Sequence, residues 1–163
     1  MESPEVIYQK YLERLRLKFI AKYDELGLRA SGKFEDSLEG VASKGSMVMY
    51  GAFHSQYMEN GRGTGPADYR KLAPFIREWI EVKQGLPAIF YEKKESMAFA
   101  IAHKIASEGI TVPNEHNAGK VISEVVNDFL GKDIYEMLDE LGDVWLSRIK
   151  ADVIGILKDA IAA

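Results

Sequence analysis

The residues able to do acid–base chemistry lie in one stretch, Gly27 to Pro66, where His54 and Glu59 precede the loop Gly61-Arg62-Gly63-Thr64-Gly65-Pro66. A histidine and a carboxylate converging on a pocket would form a general acid–base pair. A glycine loop beside them would suit a phosphate, so one expectation is a small hydrolase or nucleotide-binding enzyme. The spacing argues against it, because five residues turn a helix through roughly 500° and leave His54 and Glu59 well apart around the axis. The loop also lacks the lysine and hydroxyl residue that open a helix after a Walker loop, and no βαβ unit surrounds it. The leading expectation is therefore a chain without catalytic residues and without a cofactor.

Metal chemistry has equally few donors. The chain contains no cysteine and three histidines, His54, His103 and His116, and none of these stands at the i, i+4 spacing of a helical zinc pair. With 163 residues, 47% apolar and 28% charged, the composition is that of a globular protein of one domain, residues 1–163. A net charge of −4 gives no basic field for wrapping nucleic acid. The charged N-terminus lacks a signal-peptide pattern, and no apolar run approaches the ~20 residues of a membrane span.

The elements that position this stretch follow from periodicity and punctuation. Ser3, Pro4 and Glu5 form a helix start, an apolar stripe from Val6 to Leu26 continues it, and Gly27 ends it. Ser31 caps a short helical piece over 32–37. Residues 38–42 and 47–51 form a hairpin around Ser43-Lys44-Gly45-Ser46, with Gly45 at the positive-φ position. Residues 52–60 return to helical spacing, and the glycine loop follows as a connector or as an arm that orders against a neighbouring subunit. Pro74 opens a helix with Phe75, Ile76, Trp79, Ile80 and Val82 facing inward. Pro87 makes 86–91 a loop or docking arm, and 95–108 is an alanine-rich helix stopped by Gly109. Residues 110–113 read as an edge strand and 114–119 as a polar turn. Residues 121–126 fit a strand or a helix equally, and 132–160 is a long helix with Gly142 and Gly155 as places for a bend or close packing. The fold class is α+β: a small antiparallel sheet packed against several amphipathic helices, with long N- and C-terminal helices.

The eight tyrosines suit interfaces, having an apolar body and a wet tip, and Met47, Met49 and Met58 suit either an interface or core filling. Candidates for contact with other subunits are Tyr50, Phe53 and Tyr57 near the hairpin, then Glu59, Gly61, Arg62, Gly63, Thr64 and Gly65. Tyr69 and Arg70 extend the same surface, with Arg62, Arg70 and Lys71 available to carboxylates or a DNA backbone.

The order of these features resembles the small bacteriophage neck and minor tail proteins known as tail-completion or head-tail connector proteins. In that family a long N-terminal helix leads to a Gly-Lys/Arg-Leu-x-x-Ser-Leu segment, two strands, a Tyr-Ala-x-Tyr-x-Glu-x-Gly segment and a glycine loop. Here the parts read Gly32-Lys33-Phe34-Glu35-Asp36-Ser37-Leu38, Met47 to Tyr50, Phe53-His54-Ser55-Gln56-Tyr57-Met58-Glu59-Asn60-Gly61, and Arg62 to Pro66. The helix of Phe75 to Lys83 and the segment Phe99 to Ile110 are similar to a subgroup from phages of gut Bacteroides-type hosts, crAss-like phages among them. The resemblance implies a structural virion protein, made in the host cytoplasm, that forms a homo-oligomeric ring joining the portal to the tail. DNA would pass through the lumen, and no membrane would be involved. A further alternative is a regulatory domain that docks a partner helix on its C-terminal helices.

Overall fold

In the computed structural model, residues 3–28, 32–43, 45–53, 55–64 and 69–162 are described. Helix α1 (Pro4–Glu25) begins as its sequence dictates, with Ser3 in extended conformation and its hydroxyl accepting from the Val6 amide at 3.4 Å. It ends in a Schellman motif: Gly27, at φ +63°, donates to Asp24 O and Leu28 donates to Tyr23 O. Ile7, Tyr11, Leu12, Leu15 and Phe19 form its buried stripe.

A single turn of helix, α2 (Lys33–Asp36), buries Phe34 and leads into strands β1 (Glu39–Ser43) and β2 (Ser46–Tyr50). These pair antiparallel with Ser43 opposite Ser46, so the turn has two residues, and Gly45 adopts φ +77° as a tight hairpin requires. The inner face is lined by Gly40, Ala42, Met47 and Met49 and lies on α1. A Cβ on Gly40 would come within 3.0 Å of Leu12 Cβ, so the helix and the sheet approach at backbone distance there. The methionines, with Met58, are partly buried core filling.

Helices α3 (Ser55–Asn60), α4 (Tyr69–Val82), α5 (Ala88–Glu92) and α6 (Lys94–Glu108) follow. Pro74 does not open a helix: it is the sixth residue of α4. Its missing amide costs one hydrogen bond near the helix start, and the flanking turns carry the helix through it. Phe75 and Val82 are exposed, whereas Ala73 and Ile80 are buried, because α4 packs that side on α6, whose own buried residues are the small Ala98 and Ala102. Ion pairs from Arg77 to Glu95 and from Lys94 to Glu81 border the pair. Residues 86–91, expected as a loop, contain α5 instead, since Pro87 sits just before the helix and Tyr91 Oη donates to Lys83 O at 2.6 Å to close the turn. The expected edge strand at 110–113 amounts to one bridge, Ile110 opposite Arg62.

The strand-or-helix choice at 121–126 resolves to helix. Helix α7 (Val121–Asp128), a π turn (Phe129–Asp133) and α8 (Ile134–Ala162) form one unbroken helical run. Val121, Val125, Phe129, Asp133, Met137 and Leu141 are all buried at four-residue steps. On a regular helix such steps drift by roughly 40° each. The wider π turn takes up part of that drift and keeps both α7 and the first half of α8 facing α1.

Among the described residues, the one buried charge sits in that turn. Asp133 Oδ1 accepts from Arg14 at 2.9 Å, and Oδ2 lies 2.6 Å from Lys18 Nζ, an ionic contact not aligned as a hydrogen bond. Arg14 also bonds Glu136, Lys18 reaches Asp128, and Lys10 and the buried Tyr11 hydroxyl both donate to Glu140. Burial pushes the Tyr11 hydroxyl up to about 12, with Glu140 adding to the effect. Burial alone would raise the Asp133 carboxyl, but Lys18 and Arg14 outweigh it and hold the group below its ordinary value. Its stabilisation is therefore complete above the unfolded value of about 3.9 and is lost as pH falls through the depressed folded value. Asp133→Asn should lower stability at pH 7 by about 2 kcal/mol, less than for a fully buried pair because the cations are 36% and 28% exposed. Urea midpoints measured from pH 7 to pH 2 should show the acid-dependent loss shrinking in the variant.

Candidate functional site

The surface expected to make contacts is built on α3 and the glycine loop, and polar groups there have structural partners. Glu59, on α3, accepts from the amides of Ile122 at 2.8 Å and Ser123 at 3.4 Å. These are the second and third residues of α7, which has no side-chain cap of its own because Lys120 precedes it in the left-handed conformation at φ +58°. A carboxylate 63 residues away thus does the work of an N-cap and also complements the positive end of the helix. His54, its proposed partner, lies outside the described residues, as do Gly65, Pro66, Lys44 and the proposed cap Ser31.

The loop is anchored. Arg62 and Ile110 exchange both backbone hydrogen bonds, at 2.8 and 2.7 Å. Gly61 and Gly109 flank this bridge with φ of +73° and +76°. A Cβ on the first would lie 2.1 Å from Ile110 O and on the second 2.4 Å from Arg62 O, so both positions demand glycine. Asn117 adds a second tie by donating to Met58 O at 2.9 Å. Gly109, Ile110 and Asn117 were not among the sequence candidates. The glycine stop and the polar turn were legible, but their pairing with a loop some fifty residues earlier was not.

Anchoring leaves apolar side chains outside. Tyr50 is 57% exposed and Phe53 78%, and the Phe53 ring meets Tyr57 edge to face at 6.1 Å. Val41 and Val48, directly paired across the hairpin, point the same way and are 42% exposed, extending this surface beyond the expected residues. Gly63 and Thr64 are exposed. Tyr69 belongs to a different neighbourhood, against Phe99 and His103 of α6, with the Arg70 guanidinium over its ring.

Two depressions flank the site. A cavity of about 230 Å³ between α1, the hairpin and α7 is lined by Leu15, Phe19, Phe34, Met49 and Val126 among others, with no charged group, and offers apolar volume without acid–base capacity. A groove of about 280 Å³ holds Lys18, Lys22, Glu124 and Asp128, already paired with each other. Among the described residues no cluster of three histidine, aspartate or glutamate side chains could hold a metal ion, and no helix is long and apolar enough to cross a membrane.

Glu59→Ala should cost about 1–2 kcal/mol, measured by urea unfolding, with amide exchange quickening at the start of α7. Gly61→Ala should cost more than about 2 kcal/mol, because the added methyl both strains the backbone and strikes the Ile110 carbonyl.

No protein-family model, no curated protein and no solved structure matches this chain. The resemblance to tail-completion proteins accordingly rests on the ordered motifs alone.

Proposed function

We propose that this chain is a structural virion protein of the neck or tail-completion type, a subunit of a closed ring that joins the portal to the tail. The observation that carries this reading is the division of labour in the motif segment. Glu59 and the backbone of Arg62 are used in internal hydrogen bonds, while Tyr50, Phe53, Tyr57 and the outer hairpin valines face solvent. Such a segment is suited to docking. Among the described residues the hairpin has two strands and no further strand on either edge, and edges of this kind pair with other chains unless something covers them. Cyclic closure limits that growth to a ring.

Native mass spectrometry and negative-stain imaging of the chain produced together with the portal and tail proteins of its own genome test the reading. Closed rings bound to either protein are expected. Val48→Lys should abolish the rings while changing stability by less than about 0.5 kcal/mol, because that side chain is already on the surface. Subunits that stay separate and bind neither protein at any concentration would overturn the proposal.

A further inference from the structure

The hydrophobic core stops short of one part of the chain. It draws on α1, Phe34, Leu38, the hairpin methionines, Met58, α7, the π turn and α8, and among the described residues it takes nothing from 69–108. Helices α4, α5 and α6 pack on one another instead, with Ala73, Ile80, Ala98 and Ala102 as their buried residues, and none of them lays a face on α1, the hairpin, α7 or α8. Ion pairs from Arg77 to Glu95 and from Lys94 to Glu81 and the edge-on rings of Tyr69 and Phe99 add to this internal packing.

The two segments that join this lobe to the body meet at the bridge between Arg62 and Ile110. Gly109 lies between that bridge and the end of α6 at φ +76° and ψ −165°, a conformation open essentially to glycine alone. On the other segment Gly63 stands just past the bridge, with no atom within 4 Å of a Cβ built on it. Away from the neck, two polar ties between described residues reach the body. Lys33 of α2 pairs with Glu78 of α4, and Lys83 Nζ donates to Gly27 O at 2.6 Å.

We infer that residues 69–108 form a hinged lobe that swings as one piece about the Arg62–Ile110 neck and is latched to the body through Lys33 and Lys83. The two kinds of contact differ in strength. Close-packed apolar contacts hold each unit to its own shape, whereas the Lys33–Glu78 pair, 61% and 46% exposed, contributes little in water and is screened by salt. The paired backbones at the neck keep the pivot in place while the torsions of Gly63 and Gly109 take up the rotation. Such a swing is a property of the single chain and is independent of ring closure.

Because the chain has no cysteine, spin labels can be placed on chosen pairs of introduced cysteines. Gln9→Cys with Lys104→Cys spans body and lobe, and Gln84→Cys with Lys104→Cys spans the lobe alone; all three positions are exposed. Distances read by electron paramagnetic resonance should show two components for the first pair and one narrow component for the second. Glu78→Lys, which opposes two cations at the latch, should raise the minor body–lobe component roughly threefold, and high salt should act in the same direction. Neither should move the melting temperature, since the core is untouched. A body–lobe distribution that neither Glu78→Lys nor salt changes would overturn the inference. So would a lobe distance that broadens in step with it, because the lobe would then be unfolding and not swinging.

Discussion

A carboxylate held out of water between two cations fixes how the two ends of this chain meet. Asp133 has almost no contact with solvent, and an unpaired charge there would cost several kcal/mol. Arg14 and Lys18, one turn apart on α1, supply the compensation, and they do so only when α1 and the α7–α8 helix adopt one rotational phase. Hydrophobic packing between the same helices is less particular, since apolar stripes tolerate rotation that a buried ion pair does not. The flanking pairs from Lys10, Arg14 and Lys22 lie in water and add little energy, but they border the seam along its length.

That phase has consequences outward from the seam. With α7 set against α1, its unprotected N-terminus comes to lie where Glu59 can reach it, and α3 is thereby fixed. The glycine loop that leaves α3 is then held by the Arg62 and Ile110 bridge, through two glycines that allow the backbones to touch. Glu59 and the Arg62 backbone end up satisfied within the fold, while Tyr50, Phe53 and Tyr57 end up outside. Exposure of Phe53 and Tyr50 is thus a product of how tightly their neighbours are tied down.

The same economy explains why α8 is bare. Its buried residues stop at Val144, where α1 runs out, while its apolar residues continue for three more turns. A helix that remains apolar after it has left its own core leaves that face exposed. The hairpin and α8 expose different chemistry: flat β-branched and aromatic surface in one case, a helical ridge in the other.

Local chemistry was enough to determine the elements whose signals are adjacent in the chain. Ser3 with Pro4 set the start of α1, Gly27 its end, Gly45 the hairpin turn and Gly109 the end of α6, because caps and positive-φ positions involve only neighbouring residues. Pro74 and Pro87 misled because a proline signals a helix start only when nothing upstream already holds the helix, and at Tyr69 and Ala88 the outcome depended on packing and on the Tyr91 hydroxyl. Residues 121–126 had no local preference, and burial against α1 decided for helix. The four-residue steps from Val121 to Leu141 become one buried face only through the π turn at Phe129–Asp133, which begins in residues to which the sequence assigned no element. What the tertiary structure alone decided was partnership across long separations: Glu59 with α7, Arg62 with Ile110, Asp133 with Arg14 and Lys18. Those pairings depend on the spatial convergence of helices, which no spacing along the chain encodes.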